Sequence, residues 1–139
     1  MKWWFVDTSY IVALANEDDA LHDKAVAYAD EIEAGGIALL TTEEVLVEVA
    51  SALARPKFRS HAVAFIDEIR QTATVVPTTR ELLAQGWEMY KRSLDKSWSW
   101  VDTMSFVVMR GEGLIEVLTN DHHFEEAGFR ALLREEAAK

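Results

Sequence analysis

Short apolar runs alternating with helical periodicity constrain this chain more than any other feature. Trp3-Trp4-Phe5-Val6 opens the series, and Ile37-Ala38-Leu39-Leu40 follows. Thr74-Val75-Val76 and Leu114-Ile115-Glu116-Val117-Leu118 come later. Runs of this length, rich in aromatic and branched residues, favour strands. Strands with so little polar alternation are buried on both faces, as in a parallel sheet covered by helices. Between them lie helical patterns. Tyr10 to Ala15 is one, and Leu21, Ala25, Tyr28, Ala29 and Ile32 mark the next. Val45, Val49, Ala52 and Leu53 mark a third, and Ala62, Phe65, Ile66 and Ile69 a fourth. Leu82, Leu83, Trp87, Met89 and Tyr90 mark a fifth, and Met104 to Met109 a sixth. Such alternation predicts an α/β fold: a single three-layer α/β/α domain with a central parallel sheet. With 139 residues, half of them apolar, one domain over 1–139 has material for a core.

The punctuation agrees with this reading. Gly35-Gly36 closes the second helix, Arg55-Pro56 breaks the third, and Gly111 and Gly113 end the sixth. Gly86 reads as a weak point inside the fifth. Phe129, Leu132 and Leu133 fit a last edge strand or a short helix, and Glu135 to Lys139 reads as a frayed tail.

Acids stand where the strands stop. Asp7-Thr8-Ser9 ends the first strand, and Thr119-Asn120-Asp121 ends the fourth. Open α/β sheets bind ligands at the carboxyl ends of their strands. Taken alone, Asp7 reads as a helix N-cap, since Asp, Thr and Ser all cap. Thr42-Glu43-Glu44 opens the third helix with capping chemistry, its acids on a solvated end. Glu48 falls inside the apolar part of that helix, either a boundary residue paired with an arginine or a site residue. Ser99 caps the sixth helix, with Asp102 in the capping-box position. In a parallel sheet Asp7 and Asp121 reach one edge directly, and Glu48 and Asp102 can reach it from neighbouring helices. Carboxylates gathered there repel one another unless a cation intervenes. Oxygen ligands without Cys or His select Mg²⁺ or Mn²⁺. His22 reads as a surface residue. His122 and His123 lack the partners of a zinc site.

Composition removes several classes. No cysteine is present, which fits a reducing cytoplasm and excludes thiolate chemistry. The amino end lacks the pattern of a signal peptide, and no run approaches membrane-spanning length. A net charge of -10 argues against a general nucleic-acid coat protein, although not against a nuclease with clustered acids. Two basic groups interrupt the acidity: Arg55, Lys57 and Arg59, and then Lys91, Arg92 and Lys96. They are a hint of phosphate contacts.

Four stretches, in this order and at these spacings, resemble PIN-domain ribonucleases of the VapC toxin type. They are Val6-Asp7-Thr8-Ser9; Thr41-Thr42 followed by Val47-Glu48-Val49; Ser99-Trp100-Val101-Asp102-Thr103; and Leu118-Thr119-Asn120-Asp121 with Phe124 and Gly128 behind it. The resemblance runs nearly end to end. It implies a Mg²⁺-dependent endoribonuclease, with Asp7, Glu48, Asp102 and Asp121 as catalytic and metal-binding acids. It also implies the toxin of a type II toxin–antitoxin system, a cytoplasmic homodimer neutralised by a small antitoxin of the same operon, acting on RNA with no membrane association. Trp98 and Trp100 depart from the pattern, and either pack in the core or stack on RNA.

Two other readings stand beside this one. A PIN-like nuclease for RNA processing or DNA repair would share the acids without being a toxin. A receiver domain or a silent binding module belongs to another class. Receivers need adjacent acids after the first strand and a lysine after a late one, and this chain has neither. A haloacid-dehalogenase phosphatase would need an acid where Ser9 stands. No histidine pair or nucleophilic side chain is placed for a 2′-hydroxyl route. Hydrolysis by an activated water is therefore expected, leaving a 3′-hydroxyl and a 5′-phosphate.

Overall fold

The computed structural model describes residues 1–136. Its centre is a parallel sheet of β1 (Trp3–Val6), β2 (Ala38–Thr42), β3 (Thr74–Val76), β4 (Glu116–Leu118) and β5 (Arg130–Ala131). The spatial order is β3-β2-β1-β4-β5. The first strand is thus the middle one, with Phe5 opposite both Leu40 of β2 and Val117 of β4. Helices α1 (Thr8–Ala15), α2 (His22–Gly35), α3 (Glu43–Ala52) and α4 (Pro56–Thr72) come from the first half of the chain. Helices α5 (Arg80–Arg92), α6 (Trp100–Glu112) and α7 (His122–Glu126) follow. Trp4, Phe5 and Val6 are buried as the apolar run requires. Phe106 and Phe124 meet edge to face behind β4, at 5.0 Å.

Local chemistry sets the helix starts. Thr42 Oγ1 accepts from Val45 N at 3.2 Å, and Thr79 Oγ1 accepts from Leu82 N at 3.0 Å. Pro56 occupies the first turn of α4, where a missing N–H costs nothing. α2 ends at Gly36, whose φ of 60° suits a residue without a side chain.

Several expectations shift. Gly86 is no weak point: it is buried, and a Cβ there would meet Met104 Cγ at 2.4 Å. The glycine lets α5 and α6 approach closely. Ala52 is exposed and Leu46 takes its place against the core. Gly111 lies inside α6, which ends at Gly113. His22 is not a free surface residue, since its Nδ1 lies 2.7 Å from Ala13 O and links α2 to α1. The carboxyl end makes both a strand and a turn of helix, β5 and then Leu132–Arg134. Glu135 is held by Arg130 at 2.8 Å; residues 137–139 of the expected tail lie outside the described residues. Among the described residues no helix is long and apolar enough to cross a membrane.

Candidate active site

The parallel sheet brings the ends of β1 and β4 side by side. Asp7 N donates to the carbonyl of Leu118, the last residue of β4, at 3.2 Å, which carries the pairing one residue past β1. The Asp7 side chain does not cap α1. It is 7% exposed and accepts from Thr119 Oγ1 at 2.6 Å. Burial pushes its pKa up to about 7, against the lowering effect of Thr119 and the Thr8 backbone. The charges of Asp102 and Glu48 push the same way.

Thr119 is the hub of this edge. Its hydrogen goes to Asp7, and its oxygen accepts from Asp121 N at 3.1 Å. A hydroxyl has one hydrogen, so Ser9 is the donor in the 3.2 Å contact between Ser9 and Thr119. Ser9 Oγ in turn accepts from Asn120 N at 2.9 Å. The Thr-Ser pair after Asp7 therefore fastens the two strand ends together.

Glu48 comes in from α3. Thr8 Oγ1 donates to its Oε1 at 2.6 Å, and no arginine pairs with it among the described residues. Asp102 comes in from the first turn of α6, where the capping box is complete. Its Oδ2 accepts from Ser99 N at 3.0 Å and lies 3.0 Å from His123 Nδ1. Capping and facing the acids are not alternatives here, because one carboxylate does both. Burial raises the Asp102 pKa, and Asp121 adds repulsion; Ser99 and His123 oppose the rise. Asp121 caps α7 by accepting from His123 N at 2.9 Å.

His123 belongs to the constellation and was not foreseen. Its Nδ1 stands 3.0 Å from Asp102 and 3.2 Å from Asp121, so the ring links two acids from different elements. Its signal in the sequence is the position of Asp121-His122-His123 at a helix start beside a strand end, a pattern that also reads as part of a zinc motif. Asp121, His122 and His123 do bring ligand atoms within 4.8 Å of one another, though His122 is exposed. Arg55, Lys57 and Lys96 are exposed and make no contact with the four acids among the described residues. The tryptophans split. Trp98 packs edge to face on Phe106 at 5.1 Å, whereas Trp100 stays 40% exposed.

The site fits a divalent cation. Asp7 is a buried carboxylate with neighbours of its own sign. No lysine or arginine lies within ion-pair distance of Asp7, Glu48, Asp102 or Asp121 among the described residues. Carboxylates and hydroxyls are the donors that hard divalent ions take.

Residues 4–130 match the PIN domain family. The chain is a PIN-domain protein. It is also 33% identical over 127 residues to the 23S rRNA-specific endonuclease VapC20 of Mycobacterium tuberculosis, covering 90% of this chain and 94% of the relative. The crystal structure of that VapC20, described as a sarcin-ricin loop cleaving toxin, superposes with a TM-score of 0.78. The two share 34% identity over 90% of this chain and 95% of the other. VapBC2 of Rickettsia felis, solved bound to a promoter DNA fragment, gives a TM-score of 0.68 over 93% and 96%. At 12% identity it speaks for the fold alone. This PIN protein is thus a nuclease of the VapC toxin type, a family whose chemistry depends on metal. The receiver and phosphatase readings fall away.

Proposed function

We propose that this VapC-type protein, read as one domain over 1–139, is a Mg²⁺-dependent endoribonuclease with Asp7, Glu48, Asp102 and Asp121 as its acidic site. One observation carries the proposal: Asp7 is buried beside Asp102 and Glu48 with no cationic side chain to compensate it. Asp7 and Asp102 hold the ion, and Glu48 and Asp121 complete its charge environment. When bound, such an ion lowers the pKa of a water and stabilises negative charge on phosphate oxygens. The other residues keep the acids in place. Thr119 fixes the Asp7 carboxylate, Thr8 fixes Glu48, and His123 spans Asp102 and Asp121. Mn²⁺ is the natural substitute ion.

The substrate is RNA, and the products carry a 3′-hydroxyl and a 5′-phosphate. The kinship to an enzyme named for 23S rRNA makes ribosomal RNA the first substrate to try. The protein works in the cytoplasm as a homodimer, held by a small antitoxin from the same operon. Val26 of α2 and Val63 of α4 offer exposed apolar surface for such contacts. Tyr10 of α1 is buried and offers no such surface.

The test uses purified protein freed of antitoxin, incubated with ribosomes or total RNA and Mg²⁺. Cleavage should vanish with EDTA, return with added Mg²⁺, and be absent from Asp7→Asn. Cleavage that survives EDTA, or ends in a 2′,3′-cyclic phosphate, overturns the reading. Light scattering that shows a monomer at micromolar concentration overturns the dimer.

A further inference from the structure

The face between α5 and α6 carries aromatic surface that the acidic site does not use. Trp87 and Tyr90 stack with centroids 5.1 Å apart and 10° between their planes. Trp100, the first residue of α6, meets Trp87 at 5.0 Å and 54°. Packed as they are, the rings remain open to water: Trp87 is 42% exposed, Tyr90 40% and Trp100 40%. Continuous with them is a hollow of about 240 Å³, lined by Tyr90, Lys96 and Trp98 among others. Lys91, Arg92 and Lys96 stand exposed along the same stretch. Lys91 pairs with Glu88 at 2.8 Å and Lys96 with Asp95 at 3.4 Å. Such exposed pairs contribute little, so a phosphate can take over either cation.

We propose that Tyr90, Trp87 and Trp100 form a stacking platform for unpaired bases of the RNA, with Lys96 and its basic neighbours on the backbone. This rests on the ribonuclease reading above for the chemistry of the ligand. Charge selects a polyanion as occupant. On a chain of net charge -10, three cations within six residues mark a surface that a phosphate backbone can approach. Aromatic rings interleaved with cations are the composition of single-strand binding surfaces.

The location serves the acidic site. Trp100 and Asp102 share the first turn of α6, and residues two apart point to different sides of a helix. The rings thus lie on one side of the helix end and the acid on the other. A helix is about 10 Å across with its side chains, a span that a few nucleotides cover. The platform is also fixed relative to the acids. Trp100 Nε1 donates to Leu83 O at 3.1 Å, and Thr103 Oγ1 donates to Gly86 O at 2.8 Å.

The experiment measures anisotropy of a labelled, single-stranded oligouridylate with Asp7→Asn protein in Mg²⁺, which binds without cutting. Trp87→Leu keeps apolar packing and removes the π face; it should weaken binding about 5- to 100-fold. Trp87→Tyr should restore most of the affinity, which a mere packing role would not require. Lys96→Gln, at an exposed position, should weaken binding and lower the salt slope by about one. Should Trp87→Leu fail to fold, Tyr90→Leu and Lys96→Gln carry the same test. Affinity unchanged in these variants overturns the proposal. So does unchanged affinity with a dimer turned to monomer, since the face then belongs to a second copy of this chain. RNA cleavage by the unsubstituted protein is assayed separately. If it cleaves while the ring variants bind normally, the platform alone is wrong. If it does not cleave but binding depends on Trp87, the platform stands and the ribonuclease reading falls.

Discussion

The ends of β1 and β2 lie next to each other in one sheet, and both stop in buried polar residues. At β2 every such group is answered locally. Thr41 Oγ1 donates to Val6 O at 2.7 Å, and Thr42 caps α3. At β1 the buried group is Asp7, which receives one short side-chain hydrogen bond and faces two further acids. A neutral hydroxyl is satisfied by one or two neighbours. A buried carboxylate among carboxylates is not, and it keeps a demand for positive charge that the chain does not meet. The comparison separates a polar residue that builds the fold from one that the fold tolerates for chemistry.

The difference can be broken at β1 with the largest effect. Asp7→Asn should lower RNA cleavage on the order of 10³-fold or more while keeping the fold, checked by circular dichroism. Next in size is a pH dependence of stability in the metal-free protein. Asp7 titrates near 7 when folded, above its value of about 4 when unfolded. The native state then holds the extra proton between those values. The contribution of Asp7 to stability is full below about pH 4 and is lost as pH rises to and through 7, by up to about 4 kcal/mol. Urea melts in EDTA at pH 5 and pH 8 should show the fall; in Asp7→Asn it should flatten, and Mg²⁺ should recover stability at pH 8 only when Asp7 is present. A smaller effect is expected from Thr119→Val, which removes the donor to Asp7. Cleavage should drop about 10- to 100-fold, with half-maximal activity shifted to higher Mg²⁺ on titration. Smallest is Thr42→Ala at the satisfied end. It should cost about 1 kcal/mol of stability in denaturant melts and leave cleavage near normal. Equal losses of activity at Thr42 and Thr119 would erase the distinction between the two strand ends.

What could be read in advance follows from the range of the forces involved. β1 and Asp7 were legible because an apolar run ending in an acid is a local pattern. The joint role of Asp102 was half legible: the capping box is local, but its contact with His123 crosses 21 residues of sequence. Glu48 left a choice that only its partner could settle, and Thr8 lies 40 residues away. Gly86 was misjudged because propensity prices a glycine within its own helix. Its reason lies on another helix, at Met104. The fate of Trp98 and Trp100 depended on which side of the α6 end each ring takes, a matter of tertiary packing.

The middle position of β1 also sets a schedule. Asp7 and Thr119 touch across 112 residues, and β1 pairs with β4 only after α1 to α6 have been made. At about 5–20 residues per second, roughly 6 to 22 seconds of translation separate the first acid from the hydroxyl that orients it. Over that interval Glu48 and then Asp102 join Asp7 in the emerging polypeptide, while Thr119 and Asp121 are still to come. A chain stopped short of residue 119 therefore lacks both the hydroxyl that orients Asp7 and the acid at the end of β4.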